Sequence, residues 1–196
     1  MDAEIQASVD RGPAELVRLR VGHRLAVADW LLSALSESSR RRALEEWERH
    51  GLAVLPLGTL FSAVRLPGSL VLAVCGESMP SVEADQFLDE ALDGGPVICD
   101  PRGQRYYALV PASMPRTWHQ AAEEWRTREV DCLGRWVYLG VPRPDVDQPD
   151  AASASYWSVP LASAATLCRP LTVARLIAAG WQALGKAADA GMEDGS

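Results

Sequence analysis

The chain has 196 residues, 48% of them hydrophobic and 23% charged, with a formal net charge of −7 at pH 7. That size and apolar content fit one domain with a sizeable core, and the negative balance weighs against general binding to a phosphate backbone. No apolar run reaches the roughly 20 residues of a membrane-spanning helix, and Met1-Asp2-Ala3-Glu4 lacks the basic and apolar stretches of a signal peptide, so a cytoplasmic protein without a membrane partner is expected.

Residues 1–12 are polar and read as a flexible N-terminus; residues 13–186 read as one globular domain and 187–196 as a flexible tail. From Pro13 to Leu35 the apolar positions Leu16, Leu19, Leu25, Val27, Trp30, Leu31 and Leu35 predict a helix interrupted or bent near Gly22. A second helix is expected from Ser39 to His50, with Leu44 and Trp47 on one face and Gly51 as its stop. Its Arg40-Arg41-Arg42 run reads as a solvated face balanced by Glu45, Glu46 and Glu48.

Leu52–Leu57 and Leu60–Leu66 read as buried strands, and Ser69–Val74 as a short helix. Ser81–Leu92 is an amphipathic helix with Val82, Phe87, Leu88, Ala91 and Leu92 as its apolar stripe. The carboxylates Asp85, Asp89, Glu90 and Asp93 are expected on its wet face. Pro96–Cys99 and Gln104–Val110 form a hairpin around Asp100-Pro101-Arg102-Gly103. After a loop or irregular helix from Pro115 to Arg128, Val130–Leu133 and Trp136–Val141 read as a second hairpin around Gly134-Arg135. Asp145–Ser153 is a loop, Tyr156–Leu161 a last strand and Thr172–Leu184 a closing helix. The predicted fold class is α/β of the α+β type: a mixed or antiparallel sheet with hairpins, packed by N-terminal helices and a C-terminal helix.

Motifs of known chemistry are absent. Nothing matches the P-loop or the dinucleotide-binding glycine pattern, and Gly76-Glu77-Ser78-Met79 lacks the closing glycine of a nucleophile elbow, leaving Ser78 as a helix cap. Cys75, Cys99, Cys132 and Cys168 are dispersed, as are His23, His50 and His119, so no zinc site is spaced out in the sequence and the cysteines read as small buried hydrophobes. One lysine, Lys186, against eighteen arginines reads as the codon bias of a high-GC bacterial genome rather than selection for guanidinium chemistry. Tyr106 and Tyr107 alternate across a strand, and Trp136 and Tyr138 share a face; packing under a helix is the expected fate of such rings, with stacking on a ligand as the alternative.

Three segments together resemble the primase–polymerase domains of the archaeo-eukaryotic primase superfamily, over about Ala43 to Pro160. Trp47-Glu48-Arg49-His50-Gly51-Leu52-Ala53-Val54-Leu55-Pro56-Leu57 is similar to the family's opening helix, glycine and strand. Pro101-Arg102-Gly103-Gln104-Arg105-Tyr106-Tyr107 resembles its glycine-turn hairpin, and Val130-Asp131-Cys132-Leu133-Gly134-Arg135-Trp136-Val137-Tyr138-Leu139-Gly140-Val141-Pro142 its third signature. The resemblance implies an acidic pair on an early strand and a third acid binding two metal ions, with a histidine on the hairpin holding nucleotide phosphates.

Here the early strand offers Ser62 and Arg65 in place of the acids, the hairpin offers Arg105 and Tyr106 in place of the histidine, and only Asp131 matches. One carboxylate cannot assemble a two-metal site. The family's zinc-binding insert is missing, so a degenerate, stand-alone version is expected.

The leading expectation is a catalytically inactive regulatory or scaffolding module that binds a protein partner or a nucleotide, with no cofactor and no metal. Its candidate ligand-binding residues are Ser62, Arg65, Arg102, Arg105, Tyr107, Asp131 and Arg135, and Ser62, Arg65, Arg105 and Asp131 are expected to converge in one cleft. One alternative is nucleic-acid binding through Arg65, Arg102, Arg105 and Arg135 gathered on one face. Another is a small-molecule enzyme built from distant residues such as His119, Glu123 and Asp131.

Overall fold

The computed structural model describes residues 13–149 and 154–193. The expected N-terminal flexibility at 1–12, part of the 145–153 loop and the last three residues lie outside them. The described residues form seven helices and seven strands: α1 (Pro13–Leu32), α2 (Glu37–His50), β1 (Leu52–Pro56), β2 (Phe61–Pro67), α3 (Gly68–Cys75), α4 (Val82–Ala91), β3 (Val97–Asp100), β4 (Arg105–Pro111), α5 (Met114–Thr117), α6 (His119–Arg126), β5 (Asp131–Leu133), β6 (Tyr138–Pro142), β7 (Tyr156–Val159) and α7 (Pro170–Glu193). This is an α+β fold whose ladders are all antiparallel.

Five strands form the main sheet in the order β5-β2-β4-β3-β7, and β1 and β6 form a separate two-stranded sheet. Side chains alternate across a strand, and here both faces of the main sheet are covered. Val64, Leu66, Tyr106, Ala108 and Val110 point into a core closed by Leu70 and Val71 of α3, Leu88 of α4 and Val173, Leu176 and Ile177 of α7. Phe61, Ala63, Ile98, Leu109 and Trp157 point the other way. They meet Val27 and Leu31 of α1, Trp47 of α2 and the inner residues Ala53, Leu55, Leu139 and Val141 of the small sheet. Trp157 is fully buried there and its indole N–H donates to Pro142 O at 3.1 Å. Removing such a ring from water stabilises the fold by about 2–3 kcal/mol.

The β3–β4 hairpin forms as its sequence predicts: Asp100 Oδ1 accepts from Gly103 N–H at 2.9 Å, a side-chain-locked turn. The second hairpin does not form. β5 pairs with β2 in the main sheet, and β6 pairs with β1 along the whole register from Leu52↔Pro142 to Pro56↔Tyr138. Each strand thus finds a partner distant in sequence, and the Gly134–Trp136 turn carries the chain from one sheet to the other.

Other boundaries also move. α1 runs unbroken through Gly22, because an exposed glycine weakens a helix by about 1 kcal/mol without breaking it. Leu19 and Leu25, assigned to its apolar face by sequence, are exposed. α2 begins at Glu37 behind an N-cap at Ser36, whose hydroxyl accepts from Ser39 N–H. The cap of α4 is Ser81 rather than Ser78. The closing helix α7 continues to Glu193, past Leu184 and into the segment expected to be a tail, carried by the helix-favouring run Lys186-Ala187-Ala188. Among the described residues no helix is long and apolar enough to cross a membrane.

Candidate functional site

Strand β2 places the predicted ligand residues, and it divides them between its two ends. At its C-terminal end Arg65 stands opposite Asp131 of β5 on one side and Tyr107 of β4 on the other; one step further, Pro67 stands opposite Arg105. Arg65, Tyr107, Arg105 and Asp131 therefore share a face. The Arg65 guanidinium donates to Asp131 Oδ2, and Arg126 of α6 sits 3.6 Å from Asp131 Oδ1. Both carboxylate oxygens are thus engaged by guanidinium groups. Burial holds the Tyr107 phenol above its ordinary pKa and Asp100 adds to this, while Arg65 and Arg105 pull it back. Arg102 lies exposed in the turn of the adjoining hairpin.

Ser62 is fully buried and faces the other way, three residues from Arg65 on an alternating strand. Its hydroxyl donates to Ala112 O at 3.3 Å. The expected convergence of four residues therefore narrows: Arg65 and Asp131 are in contact, Arg105 shares their face of the sheet with its guanidinium on Gln104 O, and Ser62 faces away. The expected gathering of four arginines corrects as well, because Arg135 lies at the N-terminal end of β2, beside Gly58.

That second end has its own geometry. Gly58, Ala112, Ser113, Pro115, Arg116 and Arg135 line an open groove of about 490 Å³. Arg116 and Arg135 are exposed and make no ion pair among the described residues. Beside Arg135, Trp136 is 88% exposed and Tyr138 66% exposed, so the expected packing of these rings under a helix is overturned. Trp136 lies in the turn between the two sheets, and Tyr138 lines a groove beside Ser39, Arg42 and Glu46 of α2 without being covered by that helix. Arg116 carried no sequence signal, since a single arginine after Pro115 resembles any surface residue.

A third polar cluster lies on α4, on what its sequence predicts to be a solvated face. Asp85, expected on the wet face of α4, accepts from the Ser158 hydroxyl and from Tyr156 Oη at 3.2 Å. Burial raises its carboxyl above the ordinary value, against the opposing pull of those two hydroxyls. The signal was present: Asp85, Leu88 and Leu92 fall at i, i+3 and i+7 on the buried stripe, whereas Val82 is exposed. Beneath Asp85 the Cys99 thiol, flanked by the Tyr156 and Tyr106 hydroxyls, is pushed up to about 12 by burial. Tyr106 Oη is buried without a hydrogen-bond partner of ordinary geometry. All four cysteines are free thiols with raised pKa values, Cys75 and Cys132 to about 11 and Cys168 to about 12, each mainly through burial. Thiols held protonated in this way are poor nucleophiles.

The residues present do not fit the two-metal centre that a primase–polymerase site implies. A divalent pair needs several converging carboxylates with free lone pairs. Asp131 has both oxygens committed to Arg65 and Arg126, and among the described residues no group of three or more His, Cys, Asp or Glu side chains is placed to hold a metal ion. His119 and Glu123 are exposed on α6, His119 with its ring turned to Arg116 O. Another groove, of about 510 Å³, lies elsewhere, between Leu19, His23 and Val27 of α1 and Asp147, Trp157 and Leu161. No family model, curated protein or solved structure matches the chain.

Proposed function

We propose that the chain is a non-catalytic binding module, a primase–polymerase-like scaffold whose transfer site has been closed and which acts by holding a protein partner. The arrangement that supports this reading most directly is Arg126–Asp131–Arg65. The one carboxylate that matches the resemblance is ion-paired on both sides, closely by Arg65 and more loosely by the exposed Arg126, which opposes a cation at that position. Arg65 does this from the strand position where the family resemblance calls for acid.

The test is nucleotide incorporation by the purified full chain. A primed template and an unprimed single strand are each supplied with ribo- or deoxyribonucleotides and Mg²⁺ or Mn²⁺. No product above the level of the Asp131→Ala variant is expected. Product that Asp131→Ala abolishes overturns the reading.

A further inference from the structure

Gly134-Arg135-Trp136-Val137 is a β-turn closed by Val137 N–H on Gly134 O at 3.2 Å. Its third residue, Trp136, has φ +73°, the left-handed region that turns of this shape normally give to glycine. For a bulky aromatic this conformation is strained. The surroundings hold the turn in place: a Cβ on Gly58 would lie 2.5 Å from Arg135 N, and one on Gly134 would lie 2.9 Å from Pro115 Cγ. The indole nevertheless gains no packing inside the chain, being 88% exposed. A backbone fixed in a costly shape in order to present a solvated tryptophan is the pattern of a preorganised contact residue.

One cation, Arg135, precedes it in the turn, and a second, Arg116, lines the groove beside that turn. Arg116 and Arg135 line the same groove, and neither makes an ion pair among the described residues, a state they share with other arginines such as Arg41 and Arg105; what sets them apart is the groove they line together beside an exposed tryptophan. Tryptophan, tyrosine and arginine are the residue types that dominate binding energy at protein interfaces. The groove is open, so a small ligand would be covered on one side only, against the deep enclosure such ligands normally find. A polynucleotide would meet a chain of net charge −7, which repels a long polyanion more than it repels a few carboxylates.

We propose that the Gly134–Trp136 turn and the Arg116–Arg135 groove dock a short acidic, aromatic-bearing segment of a protein partner. Carboxylates of the segment pair with the two guanidinium groups and one of its rings packs on Trp136. This rests on the reading of the chain as a binding module and names the surface that module uses.

The test is calorimetric titration of the full chain, at low salt, with three probes. The first is the synthetic peptide acetyl-Gly-Glu-Phe-Asp-Glu-Phe-Asp-Gly-amide, the second its counterpart with lysine at every acidic position, and the third a ten-residue thymidine oligonucleotide. The acidic peptide is expected to bind and the other two are not. Arg135→Glu and Trp136→Ala are each expected to weaken binding at least about tenfold. Trp136→Gly suits the turn's positive φ, so its loss of binding reports the missing ring rather than a damaged fold. Peptide affinity unchanged in these variants, preference for the oligonucleotide, or binding of none of the probes overturns the proposal. Those results leave the incorporation assay untouched, whereas incorporation activity removes the binding-module reading without altering which surface the peptide selects.

Discussion

The two ends of β2 use the same residue types to opposite effect. At the Arg65 end, Asp131 is clasped by two guanidinium groups and Tyr107 is half-buried between neighbours. At the Arg135 end, two arginines make no ion pair among the described residues and an indole stands in water. The carboxylate at the first end is satisfied within the chain, which is what a structural role requires. The second leaves its binding capacity unused within the chain. Resemblance to a catalytic family draws attention to the first end, while unsatisfied chemistry draws it to the second.

The sharpest way to break this contrast is to disturb the scaffold of the exposed end. Gly58 has φ +85°, and a Cβ there would fall 2.5 Å from the Arg135 backbone nitrogen and 2.7 Å from its Cα. Gly58→Ala therefore combines backbone strain with a steric overlap that no side-chain rotation relieves. It is expected to cost about 2–4 kcal/mol in urea unfolding. A loss below about 1 kcal/mol would mean that the turn is loosely seated, and the idea of a preorganised tryptophan would go with it.

A smaller effect is expected at the closed end. Asp131→Ala leaves Arg65, whose Nε is already buried without a partner, with no carboxylate to answer it. Because the Arg65 side chain is 40% exposed, solvent screens much of this penalty, and the expected loss is about 1–2 kcal/mol. The double variant Arg65→Met, Asp131→Ala removes both charges and is expected to recover part of it, giving, with the Arg65→Met single variant, a favourable coupling energy in a double-mutant cycle. Additive losses would show that the pair contributes nothing jointly, and the closed end would then be no more structural than the open one.

The parts of this architecture legible in the sequence are those fixed by local chemistry. The Asp100–Gly103 turn announces its hairpin because Asp100 locks Gly103 within four residues, and Gly51 announces the end of α2. Strand partnership is a non-local property. β5 and β6 look like a hairpin because two residues separate their expected ends, yet each pairs with a strand far upstream. The candidate site was legible to the same degree. Arg65 and Asp131 were singled out by residue type, but only the register shows that they face each other and that Ser62 faces away. Trp136 was assigned to packing because most tryptophans are buried, and no local pattern distinguishes one that is not.

Asp85 sharpens the comparison from outside β2, since its partners are hydroxyls rather than guanidinium groups. Burial raises its folded pKa above the ordinary 3.8. The fold thus favours the protonated carboxyl. Its stabilising contribution is complete below the unfolded pKa and is lost as pH rises through the higher folded value. Asp85→Asn keeps a neutral acceptor for Ser158 and Tyr156 at every pH. The variant is therefore expected to gain stability relative to the parent between about pH 4 and pH 7, the gain growing with pH. Urea unfolding at both ends of that range measures it. A difference that stays flat with pH would mean that water reaches Asp85 as freely as it reaches Arg135. Burial would then no longer separate the closed polar clusters of this fold from its open one.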